Sequence, residues 1–170
     1  MQAIQRAVFA ISRLAAWLSG LILIAMVVHI LVEIVLRSFF DTSTYVLDEF
    51  IGYGVAAMTF LTLAYALEEG SLIRVNILLL RTRGRARRGL EILCTASTLI
   101  LACYLGWYVL RNWRRDWDRE AVSPSIAEVP MWIPEGLVLL GFILFIVQLT
   151  AYLLRLVTGG ALIDSSDGKN

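Results

Sequence analysis

An all-α integral membrane fold with four transmembrane helices is the class this sequence predicts, on three observations. Hydrophobic residues make up 59% of the 170 positions, against about half in a soluble globular domain. The excess falls in four blocks, each long enough to cross a bilayer, which takes about 20 apolar residues in a helix. The charges lie at the ends of those blocks, and all the basic residues except Lys169 are arginines.

The first block runs over residues 14–36. Arg6 and Arg13 followed by the apolar run Leu14 to Val32 resemble a signal peptide. The run is too long for such a segment, and no small-x-small site precedes Glu33, so a retained first helix is expected. Ahead of it, Ile4, Val8, Ile11 and Ala15 recur at helical spacing. They predict either an amphipathic lead-in on the membrane surface or an extension of the helix. The second block covers residues 45–67 and the third 90–112. The fourth covers 133–157, with Trp132 as an interfacial anchor and Pro134 in the first turn, where a missing N–H costs nothing. Residues 1–158 form one membrane domain, and residues 159–170 read as a disordered tail.

Orientation follows from the basic residues. With the N-terminus inside, Arg6, Arg13, Arg74, Arg81, Arg83, Arg85, Arg87, Arg88, Arg155 and Lys169 fall on the inner side. Only Arg37, Arg111, Arg114, Arg115 and Arg119 fall outside. Both termini are therefore expected in the cytoplasm. The cluster Arg81, Arg83, Arg85, Arg87 and Arg88 is the topological anchor, held against anionic lipid. A basic loop between two spans does not suit nucleic acid.

The outer connection from Arg111 to Met131 is longer. Trp113 and Trp117 are four apart, as are Arg114 and Asp118, so helix three is expected to continue past the bilayer with paired charges until Pro124. It is either a solvated helix end with an aromatic belt, or a periplasmic docking surface formed by Arg111, Arg114, Arg115 and Asp118.

Few residues could carry chemistry. His29 is the one histidine, read as a structural hydrogen-bonding group, with haem ligation as the competing use. Glu33 and Arg37 form a favourable helical pair that either fixes helix depth or meets another subunit. Asp48 and Glu49 open helix two, where the macrodipole favours them. Deeper in the last three spans the polar groups are Thr59, Thr62, Thr95, Ser97, Thr98, Gln148 and Thr150, a thin lining for an ion path. No phosphate loop, metal-ligand cluster or nucleophile–base set occurs, so neither catalysis nor a cofactor is expected. Cys94 and Cys103 are nine residues apart on one helix, about 13.5 Å, too far for a disulfide; buried free thiols are expected. Gly52, Ala56 and Thr59 form a small-residue stripe on which another helix could pack closely.

The stretch "DEFIGYGVAAMTFLTLAYALEEGSLIRVNILL" resembles the small membrane subunit of tripartite ATP-independent periplasmic (TRAP) transporters, the DctQ-like family. The acidic pair Asp48–Glu49, the aromatic Tyr53, Phe60–Leu61, Ala64 and Ala66, Glu69–Gly70 and Ile73–Arg74–Val75 match the family's pattern in order. Glu33 and Arg37 match the end of its first helix, and Pro130, Trp132, Pro134 and Gly136 the start of its fourth. Val46, Gly52, Thr62, Leu72 and Asn76 depart from it, which suggests a divergent branch. The resemblance implies a scaffold subunit in a bacterial inner membrane. A large multi-span subunit would carry an organic acid and the coupling sodium, and a periplasmic substrate-binding protein would deliver the substrate. Contact with the large subunit would fall on Glu33, Arg37, Asp48, Glu49, Gly52, Tyr53, Ala56 and Phe60. A membrane anchor for a redox complex and a self-contained small transporter are the alternatives.

The turn "LEEGSLIRVNILLL" is expected to end helix two at Gly70 and to continue as an apolar segment along the inner interface. Glu68 and Glu69 sit at a helix C-terminus, where their charge is unfavourable. Either Arg74 compensates or the turn is simply solvated.

Overall fold

The computed structural model describes residues 2–70 and 85–158, with side chains from Val8 to Gly70 and from Ala86 to Thr158. Four helices are present: α1 (Gln2–Phe39), α2 (Leu47–Glu68), α3 (Arg85–Asp118) and α4 (Trp132–Val157). All four are long and apolar enough to cross a membrane. The lead-in resolves as an extension of α1 rather than a separate segment, since one helix runs unbroken from Gln2. The expected interfacial segment after α2, the expected disordered tail, and the anchors Arg81 and Arg83 with the side chain of Arg85 lie outside the described residues.

Charge sets the depth of each helix. Arg13 and Glu33 on α1, Asp48 and Glu68 on α2, Glu91 and Arg111 on α3, and Glu135 and Arg155 on α4 are each 20 residues apart. That spacing is about 30 Å of helix, the thickness of the hydrocarbon core. Between the members of each pair only Glu49, next to Asp48, is charged. The helices thus carry matched charged bands at two levels. The termini end holds Arg13, Glu68, Glu91 and Arg155; the loop end holds Glu33, Asp48, Arg111, Glu135 and both described connections.

The helices pack as a row in the order α1, α2, α4, α3, with a lesser contact between α1 and α4 that curls it. Contacts along the chain give the directions. Phe9 stacks on Tyr65 and His29 meets Phe50, so α1 and α2 are antiparallel. Phe60 stacks on Phe142, and Glu68 meets Arg155, so α2 and α4 run parallel. Tyr152 bonds Glu91 near one end while Trp132 bonds Trp113 near the other, so α4 and α3 are antiparallel.

Each seam has its own chemistry. On α1 a buried or half-buried stripe runs through Val8, Ser12, Ala15, Ser19, Ile22, Met26, His29, Glu33 and Leu36, with half-buried Phe9 and Ala16 beside it. This alternation of three and four is the pattern of one helix facing one neighbour. Ser19 donates across it to the Met58 carbonyl at 3.1 Å. A Cβ on Gly54 would overlap Met26 Sδ at 2.2 Å, and one on Gly141 would lie 2.5 Å from the Phe60 carbonyl carbon. Close approach of this kind is how membrane helices gain packing contacts where lipid removes the hydrophobic drive. Leu61, Ala64, Leu149 and Leu156 are almost wholly enclosed, in the middle of the row. Thr59, Thr62, Thr98 and Thr150 each donate to the carbonyl four residues back on their own helix.

Two expectations change. Cys94 and Cys103 are free but exposed, not buried, because only one stripe of α3 meets α4 and both thiols lie off it. Helix α3 ends at Asp118, well before Pro124, where Glu120 takes a left-handed φ of 48°. Glu68 meets Arg155 at 3.3 Å and Gln148 at 2.7 Å, both on α4, while Arg74, the expected counter-charge, lies outside the described residues. Helix α2 does stop at the expected turn: Gly70 has φ 69°, and its N–H bonds the Leu67 carbonyl.

Candidate partner-contact site at the loop end

Glu33 is the centre of the loop end. It sits at the end of the α1 seam and is only 2% exposed. Its Oε1 accepts from Arg37 Nε at 2.7 Å and from the Ser43 hydroxyl. Its Oε2 accepts from the Thr44 N–H at 2.9 Å and the Thr44 hydroxyl at 2.6 Å. The Thr44 hydroxyl proton is thus engaged, which leaves its lone pair to His29 Nε2, 3.4 Å away. Ser43 Oγ also accepts from the Tyr45 N–H at 3.1 Å. The connection 40–46 is therefore folded around one carboxylate. Asp41 and Tyr45, on either side of Ser43–Thr44, both take left-handed φ values of 49° and 59°. Such backbone costs about 1–2 kcal/mol per non-glycine residue, which the bonds to Glu33 offset.

Tyr53 stands between a second carboxylate and the longer connection. Tyr53 donates to Glu49 Oε1 at 2.6 Å, and its oxygen lies 3.3 Å from Met131 Sδ. The connection 119–131 closes on itself as a small hairpin: Val122 and Pro130 form a bridge, Ser123 N–H bonds the Val129 carbonyl at 2.9 Å, and Met131 N–H bonds the Ala121 carbonyl at 2.9 Å. Trp113 Nε1 donates to the Trp132 carbonyl at 2.9 Å. Trp117 packs between Trp113 and Trp132, with ring centroids 5.6 and 4.9 Å away. Below them Asn112 donates to Glu135 and accepts from Arg115. The expected Trp113–Trp117 pair is present. Among the described residues the ion pair on this turn is Arg115–Asp116 at 3.5 Å, not Arg114–Asp118.

The residues read from the sequence as partner contacts therefore separate into two groups. Glu33, Glu49, Tyr53 and Phe60 are engaged inside the chain. Asp48, Gly52 and Thr59 are exposed on α2, with Val55 between them and half-buried Ala56 beside them. A Cβ on Gly52 would meet nothing within 4 Å. Spacings of four, three and four residues put Asp48, Gly52, Val55 and Thr59 on one face. No hydrogen bond or ion pair among the described residues reaches Asp48. Arg37 is intermediate, bonded to Glu33 through one nitrogen while its side chain stays 64% exposed. Arg111, Arg114, Arg115 and Asp118 are all exposed at the head of α3.

Sequence reasoning missed Ser43 and Thr44, which close the Glu33 site, and Gly54 and Gly141, which set the helix spacing. A serine and a threonine after a predicted helix were a visible signal of a capping turn. Nothing in the spacing alone said that their target lay ten residues back. At the other end, Arg88 Nε donates to the Leu156 carbonyl at 3.0 Å, so one of the arginines expected as anchors ties α3 to α4.

Neither the curated proteins nor the solved structures that were compared yield a match. A family profile does: it describes tripartite ATP-independent periplasmic transporters, DctQ component, and it matches residues 26–159. The match takes in the Glu33 site, the open face of α2, the hairpin and the whole of α4. The chain belongs to the DctQ family, the small membrane subunits of TRAP transporters.

Proposed function

We propose that this chain is the non-catalytic scaffold of its transporter, bracing the large membrane subunit through the open face of α2. The observation that carries the reading is the division of charge at the loop end. Glu33 holds the connection 40–46 in place and Glu49 is bonded by Tyr53 on its own helix, while Asp48, Gly52 and Thr59 stand exposed on a helix already fixed on both sides by α1 and α4. A rigid helix with a small-residue face and one unengaged carboxylate suits a partner helix that brings a cation. The hydroxyls of Thr59, Thr62, Thr98 and Thr150 bond the backbone of their own helices, which supports a brace and not a solute path.

The exposed arginines at the head of α3 suit docking of the periplasmic substrate-binding protein, where complementary charge steers encounter. Organic acids are the substrate class in this reading, and substrate and sodium are handled by the large subunit. No cofactor is assigned to this chain. It resides in a bacterial inner membrane, with the arginine-rich termini end in the cytoplasm.

Co-expression with the adjacent large subunit tests the reading. The tagged chain should retain that subunit in mild detergent, and the pair with binding protein should transport where this chain alone does not. Elution of the chain by itself, or a Soret band in the purified complex, would count against it.

A further inference from the structure

A cleft of about 800 Å³ opens at the termini end, lined by Ala10, Arg13, Leu14, Ala16, Trp17, Gly20 and Tyr65. Arg13, Ala16, Trp17 and Gly20 recur at three and four residues and share one flank of α1. The cleft therefore runs along the helix for about 10 Å below Arg13. Its floor is made by small residues, and a Cβ on Gly20 would meet nothing within 4 Å. Trp17 stands 71% exposed beside it, and Tyr65 is held at the opposite wall by stacking on Phe9 at 5.8 Å. Arg13 sits at the hydrocarbon boundary, 20 residues from Glu33. Among the described residues no carboxylate pairs with it, and the Tyr65 hydroxyl makes no hydrogen bond.

We infer that this cleft holds one anionic phospholipid. The phosphodiester lies against the Arg13 guanidinium, with the Tyr65 hydroxyl as a second donor, and an acyl chain follows the trough over Ala16 and Gly20 beside the Trp17 ring. Charge complementarity selects the occupant. The lining has one cation and no acid, so it attracts a phosphate and offers no carboxylate to the ammonium of a zwitterionic headgroup. Neither acid of the turn after Tyr65 lines the cleft: Glu68 is engaged with Arg155 and Gln148, and Glu69 lies exposed outside it. An aromatic ring at the boundary with an apolar trough below matches a molecule whose polar head and tail are joined at that level. The inference does not depend on which subunit α2 meets.

The test uses the full chain in phosphatidylcholine vesicles containing a minor fraction of phosphatidylglycerol. Either the phosphatidylglycerol or an equal amount of phosphatidylcholine carries brominated acyl chains. Subtracting the Trp17→Phe variant isolates the Trp17 fluorescence. Brominated phosphatidylglycerol should quench Trp17 as though enriched about fivefold over brominated phosphatidylcholine. Arg13→Gln should abolish that preference. Gly20→Leu keeps the charge but fills the trough, and should reduce quenching by both lipids. Equal quenching by the two lipids in the parent chain would overturn the inference. So would a preference that survives Arg13→Gln, or quenching that Gly20→Leu leaves unchanged.

Discussion

Glu33 and Asp48 are carboxylates at the same membrane level on adjacent helices, yet they are handled in opposite ways. Glu33 is enclosed, and four donors from Arg37, Ser43 and Thr44 fill its oxygens. Asp48 is exposed, with no bond among the described residues. The difference teaches what each is for. A buried carboxylate must be satisfied by the fold that buries it, so Glu33 organises this chain. A carboxylate at a helix N-terminus is already stabilised by the macrodipole, so Asp48 can stay open to another protein.

The largest expected effect lies on the Glu33 side. Glu33→Ala removes the acceptor for the Thr44 N–H and two hydroxyls, leaving loop donors at the edge of a solvent that cannot replace it. The loss should be at least about 2 kcal/mol, seen as a lower unfolding midpoint in detergent whether or not the large subunit is present. An unchanged midpoint would place the organising role elsewhere. Next comes Gly141→Ala, whose Cβ would fall 2.6 Å from the Phe60 carbonyl oxygen. Backbone cannot step aside as a side chain can, so overpacking should cost about 1–3 kcal/mol by the same measurement.

Gly52→Leu sharpens the comparison because it is the same kind of change on the open face. A Cβ there meets nothing within 4 Å and the face is exposed, so the isolated subunit should be unaltered to within about 0.5 kcal/mol. Recovery of the large subunit should fall at least about tenfold, equivalent to about 1.4 kcal/mol of binding. Smallest is the double change Arg114→Glu with Arg115→Glu. It should leave the complex assembled and slow uptake a few-fold at limiting binding protein, less so at high salt. Salt-independent uptake would remove the docking role from the head of α3.

Much of this was legible in the sequence. The four spans, the stop at Gly70, the Trp113–Trp117 pair and the Glu33–Arg37 pair are local features, set by apolar run length and helical spacing. The rest depends on which helices become neighbours. Glu68 finds Arg155 because α2 and α4 run side by side in parallel, a long-range outcome that no local spacing announces. Cys94 and Cys103 follow the same logic. In water an apolar helix hides its thiols in a core, but an edge helix in lipid presents most of its circumference outward, so burial cannot be read from hydropathy. Gly54 and Gly141 look no different in the sequence from Gly52, and only the row order separates the two that seat a neighbour from the one that stays open.

In the proposed function, α2 presents its Asp48–Gly52–Thr59 face to the large subunit. A photoreactive side chain placed at Gly52, and separately at lipid-exposed Ile100 on α3, tests it in the assembled complex. The account predicts a cross-link to the large subunit from position 52 and only lipid adducts from position 100. Lipid adducts alone from position 52, in a complex that still copurifies, would contradict it.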